Sequence, residues 1–155
     1  MDPECKNIAE VVEKHGYDKA MTLAKQLPDK EGNLVLRNRA IHVLEEGRRV
    51  HMMQGSSIEK WGELMNQSHE SCSKLYECSC PELEDLVSIS RKHGALGSRL
   101  TGAGWGGSTV SILPPDASVD EFIENVKKDY YVPRGIKNPV IFATKPGDGS
   151  SSIIF

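Results

Sequence analysis

The sequence predicts an α+β domain in which helices pack on an antiparallel sheet. Three observations carry that prediction. Apolar residues recur at spacings of three and four through the first half, which is the period of an amphipathic helix. Short runs rich in β-branched and aromatic residues appear only in the second half, as "SRLT", "STVSIL", "PVIFATK" and "SSIIF". A helical segment lies between the second and third of these runs. The resulting β-loop-β-α-β-β order is of the split kind found in ferredoxin-like sandwiches.

The elements follow in order. Ile8, Val11, Val12 and His15 share one helical face, and Gly16 suits a stop. Ala20, Met21, Ala24 and Leu27 form a second short pattern that ends before Pro28. "PDKEGN" reads as a turn or linker. A long helix is expected near Leu34 to Met53, with Leu36, Ala40, Val43, Gly47 and Val50 on one face. "GSS" at Gly55 to Ser57 breaks it. The next helix runs near Ile58 to Tyr76, with a stripe of Ile58, Trp61, Met65, Ser68, Cys72 and Leu75. These two helices are expected to pack as an antiparallel pair. Ser79 and Glu82 match a capping box, Pro81 falls in the first turn behind it, and Gly94 closes that helix. Ser118 and Glu121 repeat the capping box before a helix to Tyr130, whose buried face is Val119, Phe122, Ile123, Val126 and Tyr130.

The 155 residues suit one domain or a piece of a larger one. Hydrophobic content of 38% and charged content of 26% are ordinary for a globular protein. The net charge of −3 gives no support for a nucleic-acid or anionic-membrane partner. No apolar run reaches membrane-spanning length, and "MDPECKNIAE" lacks the features of a signal peptide, so a cytoplasmic location is expected. Cys5, Cys72, Cys78 and Cys80 lack zinc-site spacing and read as free thiols, with no metal site.

"GSRLTGAGWGGSTVSIL" places Gly102, Gly104, Gly106 and Gly107 within six residues between two strands. A dinucleotide or P-loop reading fails, because both need a helix after the glycines and a strand follows here. Two readings stay open. The loop is a structural turn at positive φ or at a close backbone approach. Alternatively it lines an anion site, its backbone N–H groups forming a nest beside Arg99 and Thr101. In the second reading Trp105 either packs inward as an anchor or stacks on a ligand, and inward packing is the expectation. Glu45, Glu46, Glu63 and Glu70 read as solvated helix faces, and His42 and His69 as helix-packing or buried hydrogen-bonding groups.

"GSRLTGAGWGG" resembles the third motif of the GHMP kinases. "RNRAIHVLEEGRRV", "WGELMNQSHESCSKLYECSCPELEDLV" and "FATKPGDG" extend that resemblance to the C-terminal part of galactokinases and N-acetylgalactosamine kinases, over about Leu34 to Phe155. The resemblance divides the chain into an N-terminal helical segment, 1–33, and a kinase C-terminal domain, 34–155. It implies transfer of the ATP γ-phosphate to the C1 hydroxyl of galactose or N-acetylgalactosamine, with ATP and Mg2+ as cofactors. It also implies that Arg99, Thr101, Gly102, Ala103, Gly104, Gly106 and Gly107 support the nucleotide and its phosphates.

The family's second motif and its catalytic Arg and Asp are not found in this sequence. No catalytic residue is therefore assigned to the chain. It is expected to be inactive as an isolated piece and to partner the N-terminal half of the same kinase. Ser108 stands where galactokinases usually carry cysteine, a sterically mild change. A galactokinase-like sugar sensor, binding ligand and a protein partner without catalysis, is the alternative the same motifs allow. A free-standing interaction module with an exposed apolar surface is a third.

Overall fold

The computed structural model describes residues 7–29, 31 and 35–145. It is an α+β assembly of helices on a two-stranded antiparallel sheet. The elements are α1 (Ile8–Gln26), α2 (Leu36–Met53), α3 (Ile58–Ser71), α4 (Pro81–Lys92), β1 (Gly97–Thr101), β2 (Ser108–Ile112) and α5 (Val119–Val126). A π-helical turn extends α3 over Cys72–Tyr76, and a second extends α5 over Lys127–Tyr131. No helix among the described residues is long and apolar enough to cross a membrane.

The expected break at Gly16 is present. α1 is two helical segments joined there, with Gly16 at φ 78°. Val11, Ala20 and Ala24 of α1 enclose Leu44 of α2, with Ala40 and Ile41 packed around them. The stripe expected on α2 is only partly buried, because Val43 and Val50 are 52% and 61% exposed. The physical reason is that α2 serves two neighbours. One face meets α1 through Ala40, Ile41 and Leu44, whereas the other meets α3 through polar groups that hydrophobic periodicity does not register. His42 Nδ1 lies 2.8 Å from Ser71 Oγ, Ser68 Oγ donates to Glu46, and Trp61 Nε1 donates to the Met53 carbonyl. The pairs 42/71, 46/68 and 53/61 run in opposite directions, so α2 and α3 are antiparallel as expected. Trp61, assigned to the α3 stripe, stays 37% exposed.

α3 and β1 run parallel and in contact. Gly62, Asn66 and His69 face residues 96 to 100 of the strand. From Gly62 to His69 the helix rises about 10.5 Å and from Gly97 to Leu100 the strand rises about 10 Å, so the two backbones stay in step over this contact. Gly62 lets them touch: a Cβ there would fall 2.6 Å from the Leu96 carbonyl carbon.

Ser118 caps α5 as expected, its Oγ accepting the Glu121 N–H. The capping box at Ser79 and Glu82 does not form. Pro81 is the first helical residue, which makes Cys80 the N-cap and leaves Ser79 outside the helix. Gly94 follows α4 at φ 97°. Leu86, Val126 and Tyr130 join α4 to α5. "PVIFATK" is not a strand. It is irregular through Lys145, with Val140 and Phe142 87% and 76% exposed. A strand needs a ladder partner, and none is present for it among the described residues. The "SSIIF" run and Cys5 lie outside the described residues.

Candidate functional site

The glycine loop closes the β1–β2 hairpin, with Thr101 opposite Ser108. Gly102, Gly104, Gly106 and Gly107 all have positive φ, and so does Trp105, at 54°. Their reasons differ. A Cβ on Gly104 would fall 2.1 Å from the Cys78 carbonyl oxygen, so the close approach at Gly104 is to the chain's own turn after α3. Cβ atoms on Gly102, Gly106 and Gly107 would meet nothing within 4 Å. These three are required by backbone conformation, and the space above them is open. Ala103 and Thr101 are exposed.

Trp105 does not pack inward. It is 64% exposed, yet fixed by two hydrogen bonds, its backbone N–H to the Cys78 carbonyl at 2.7 Å and its indole N–H to the Glu77 carbonyl at 3.1 Å. Glu77 is itself left-handed, at φ 60°. The loop is therefore seated on the turn that ends the π-helical extension of α3. Tyr76, Cys78 and Cys80 belong to that junction.

Arg99 ties the base of the loop to two helices. Its guanidinium donates to Ser68 Oγ at 2.6 Å and to Glu46 Oε2 at 3.3 Å, and its Nε donates to the Leu100 carbonyl. Glu46 is not on a solvated face, in contrast to the expectation. It also accepts from Arg49 and Ser68. Burial pushes its carboxyl up, but the bonds from Ser68 and Arg49 and the charges of Arg49 and Arg99 outweigh this and hold it below the usual value. The solvated reading fits Glu63 and Glu70, which pair with Lys60 and Lys74 at the surface.

Among the described residues no strand pairs with the outer edge of β1, yet its polar groups are satisfied. Asn66 donates to the Leu96 carbonyl and accepts the Ser98 N–H, both at 3.0 Å. Arg91 donates to the Ser98 carbonyl. His69 Nδ1 accepts the Leu100 N–H at 3.2 Å. Side chains of α3 and α4 thus stand in for a neighbouring strand. Of the two uses that the sequence leaves open for His69, helix packing or a buried hydrogen bond, the structure shows the hydrogen bond, whereas Asn66 is not singled out by the sequence. The available signal was Gly62, Asn66 and His69 at one helical face, a polar face where an apolar one was sought.

Cys72 and Cys78 are buried, and burial chiefly raises the Cys72 thiol to about 11. It is a thiol at neutral pH and no nucleophile. His42 is lowered mainly by burial, and its ring lies 4.9 Å from that of Tyr76.

Residues 44–132 match the family described as "GHMP kinases C terminal", more than half of the chain. The chain belongs to the GHMP kinase family. A galactokinase of Dictyostelium discoideum is 58% identical over 74 residues, which is 48% of this chain and 15% of that protein. A galactokinase of Saccharomyces cerevisiae is 42% identical over 111 residues, which is 63% of this chain and 21% of that protein. The fold is similar to that of Lactococcus lactis galactokinase complexed with galactose, at a TM-score of 0.67 and 29% identity. That alignment covers 85% of this chain and 33% of the L. lactis chain. This GHMP kinase chain thus corresponds to a C-terminal portion of the galactokinases it resembles, and spans well under half of each of these three.

Proposed function

We propose that the chain is the C-terminal part of a galactokinase-type sugar kinase, which transfers the γ-phosphate of ATP to the C1 hydroxyl of galactose or N-acetylgalactosamine. The observation that carries this reading is the loop of Gly102 to Gly107. Its run of positive φ angles and the open space at Gly102, Gly106 and Gly107 suit a backbone nest for phosphate oxygens. Arg99 and Thr101 sit at its base, and the rigid turn at Glu77 and Cys78 supports it from behind.

The loop's role is to hold position. Phosphoryl transfer depends on alignment and charge neutralisation, and a loop fixed before the nucleotide arrives aligns it without further ordering. No three His, Cys, Asp or Glu side chains converge among the described residues. Mg2+ would therefore reach this loop on the nucleotide's phosphates, with its protein ligands and the group activating the sugar hydroxyl supplied by the N-terminal half. Residues 34–155 form the kinase domain in this reading, 1–33 are a helical lead-in, and the protein works in the cytoplasm.

The test is sugar-dependent ATP turnover by the native protein that carries this sequence. Turnover with galactose or N-acetylgalactosamine, abolished by a bulky side chain at Gly106, supports the reading. Sugar and ATP binding with no turnover replaces it with the sensor reading.

A further inference from the structure

We infer that His69 is a positioning residue for the glycine loop, acting through the backbone of Leu100. This rests on the kinase reading only for its effect on turnover. His69 is 3% exposed on α3, and its Nδ1 accepts the N–H of Leu100, itself 1% exposed. Leu100 lies two residues before Gly102. Asn66 and Arg91 hold the strand earlier, at Leu96 and Ser98. Among the described residues, His69 is thus the last helix side chain that bonds the backbone on the outer edge of β1 before the loop begins.

The chemistry requires one form of the ring. A backbone N–H can only donate, so Nδ1 is bare and the proton of the neutral imidazole sits on Nε2. Nε2 lies 3.3 Å from Glu84 Oε1 of α4, a contact that favours that tautomer although it is not aligned as a full hydrogen bond. Burial chiefly disfavours a second proton on the ring, and the charges of Arg91 on α4 and Arg99 on β1 add to this, against the Glu84 carboxylate, which favours one. Losing the acceptor would leave the Leu100 N–H buried and unpaired, and the strand would be free to shift where the loop begins.

Two near-isosteric variants separate positioning from general packing. His69→Asn keeps an acceptor near the place of Nδ1. His69→Gln fills more of the side-chain volume but puts its amide near the place of Nε2, leaving Leu100 without a partner. Hydrogen exchange is measured on both in the native protein that carries this sequence. H69Q is expected to speed amide exchange over residues 100–107 by about tenfold, the scale of one net hydrogen bond, with α2 and α5 unchanged. H69N is expected to stay close to wild type. Equal exchange in the two variants, or the reverse order, overturns the inference. Kinetics supply the second readout: H69Q raises KM for ATP several-fold and leaves KM for the sugar unchanged, and H69N restores it. A parallel rise in both KM values overturns positioning at the loop. If the wild-type protein shows no turnover, the kinase reading fails while the exchange result still decides the role of His69.

Discussion

Gly62 of α3 and Gly97 of β1 lie in direct backbone contact. A Cβ on Gly97 would fall 2.5 Å from the Gly62 carbonyl oxygen, and one on Gly62 would fall 2.6 Å from the Leu96 carbonyl carbon. The edge clamp depends on this contact, because Asn66 and His69 reach the strand only if the helix lies this close.

Gly62→Ala is therefore expected to destabilise the protein. Alanine in a helix normally gains about 1 kcal/mol over glycine. Here the added carbon meets backbone that cannot swing aside, and overpacking of this kind costs about 1–3 kcal/mol. Gly47→Ala is the contrast. Its Cβ would meet only the hydroxyl of Tyr17, the far end of a movable side chain. Urea midpoints should fall for G62A and hold or rise for G47A. A stabilised G62A protein would contradict the contact.

The loop glycines should separate in the same way. Gly104→Ala combines positive φ with a Cβ 2.1 Å from the Cys78 carbonyl oxygen. Gly102→Ala adds only the strain of φ 81°, about 1–2 kcal/mol for a left-handed L-residue. G104A should lower the unfolding midpoint well beyond G102A. It should also raise the mobility of Trp105, read as a fall in fluorescence anisotropy in a W61F background. Equal effects of the two substitutions would mean that the loop is not seated on the turn.

The contrast among these glycines shows what the sequence reveals. The helices, the hairpin and the break at Gly16 follow from periodicity, caps and glycine placement, which are local properties. Val43 and Val50 were misplaced because their helix is recruited by polar bonds from His42 and Glu46, and these leave no apolar period. The loop was recognisable from its four glycines, yet its seat on Glu77 and Cys78 joins residues about 28 positions apart, beyond any local pattern. Asn66 was missed for the same reason, since its partners lie 30 and 32 residues away. "PVIFATK" shows the converse: strand composition does not make a strand where no ladder partner is present among the described residues.

Stability should fall with acid in two stages. His42 and His69 are both held below the ordinary histidine value, chiefly by burial. The unfolded chain takes up protons on them near pH 6.5, and the folded chain only at lower pH. Their contribution is complete above about pH 6.5 and is lost as pH falls through their folded values. Glu46, also depressed, contributes above the ordinary carboxylate value and loses that contribution at more acid pH. Urea midpoints between pH 8 and pH 5 should therefore decline, and His42→Gln should shallow the slope below pH 6.5. A wild-type midpoint that stays flat over that range would rule out histidine burial as the cause.

Glu46 and Arg99 should prove energetically coupled although 53 residues separate them. Ser68 Oγ accepts from Arg99 and donates to Glu46, so the three groups form a closed triangle between α2, α3 and β1. Arg99→Met alone leaves Glu46 with Arg49 as its remaining cation, and Glu46→Gln alone leaves Arg99 facing only neutral acceptors. Each single change should cost more than its share of the pair. The double variant should be more stable than the sum of the singles predicts, by about 0.5–3 kcal/mol. The measurement is a double-mutant cycle of urea unfolding at low and high salt. The half-buried position of the pair predicts a coupling that survives salt, unlike that of the exposed Lys74–Glu70 pair. A coupling abolished by salt would place Arg99 in solvent and detach the base of the loop from α2.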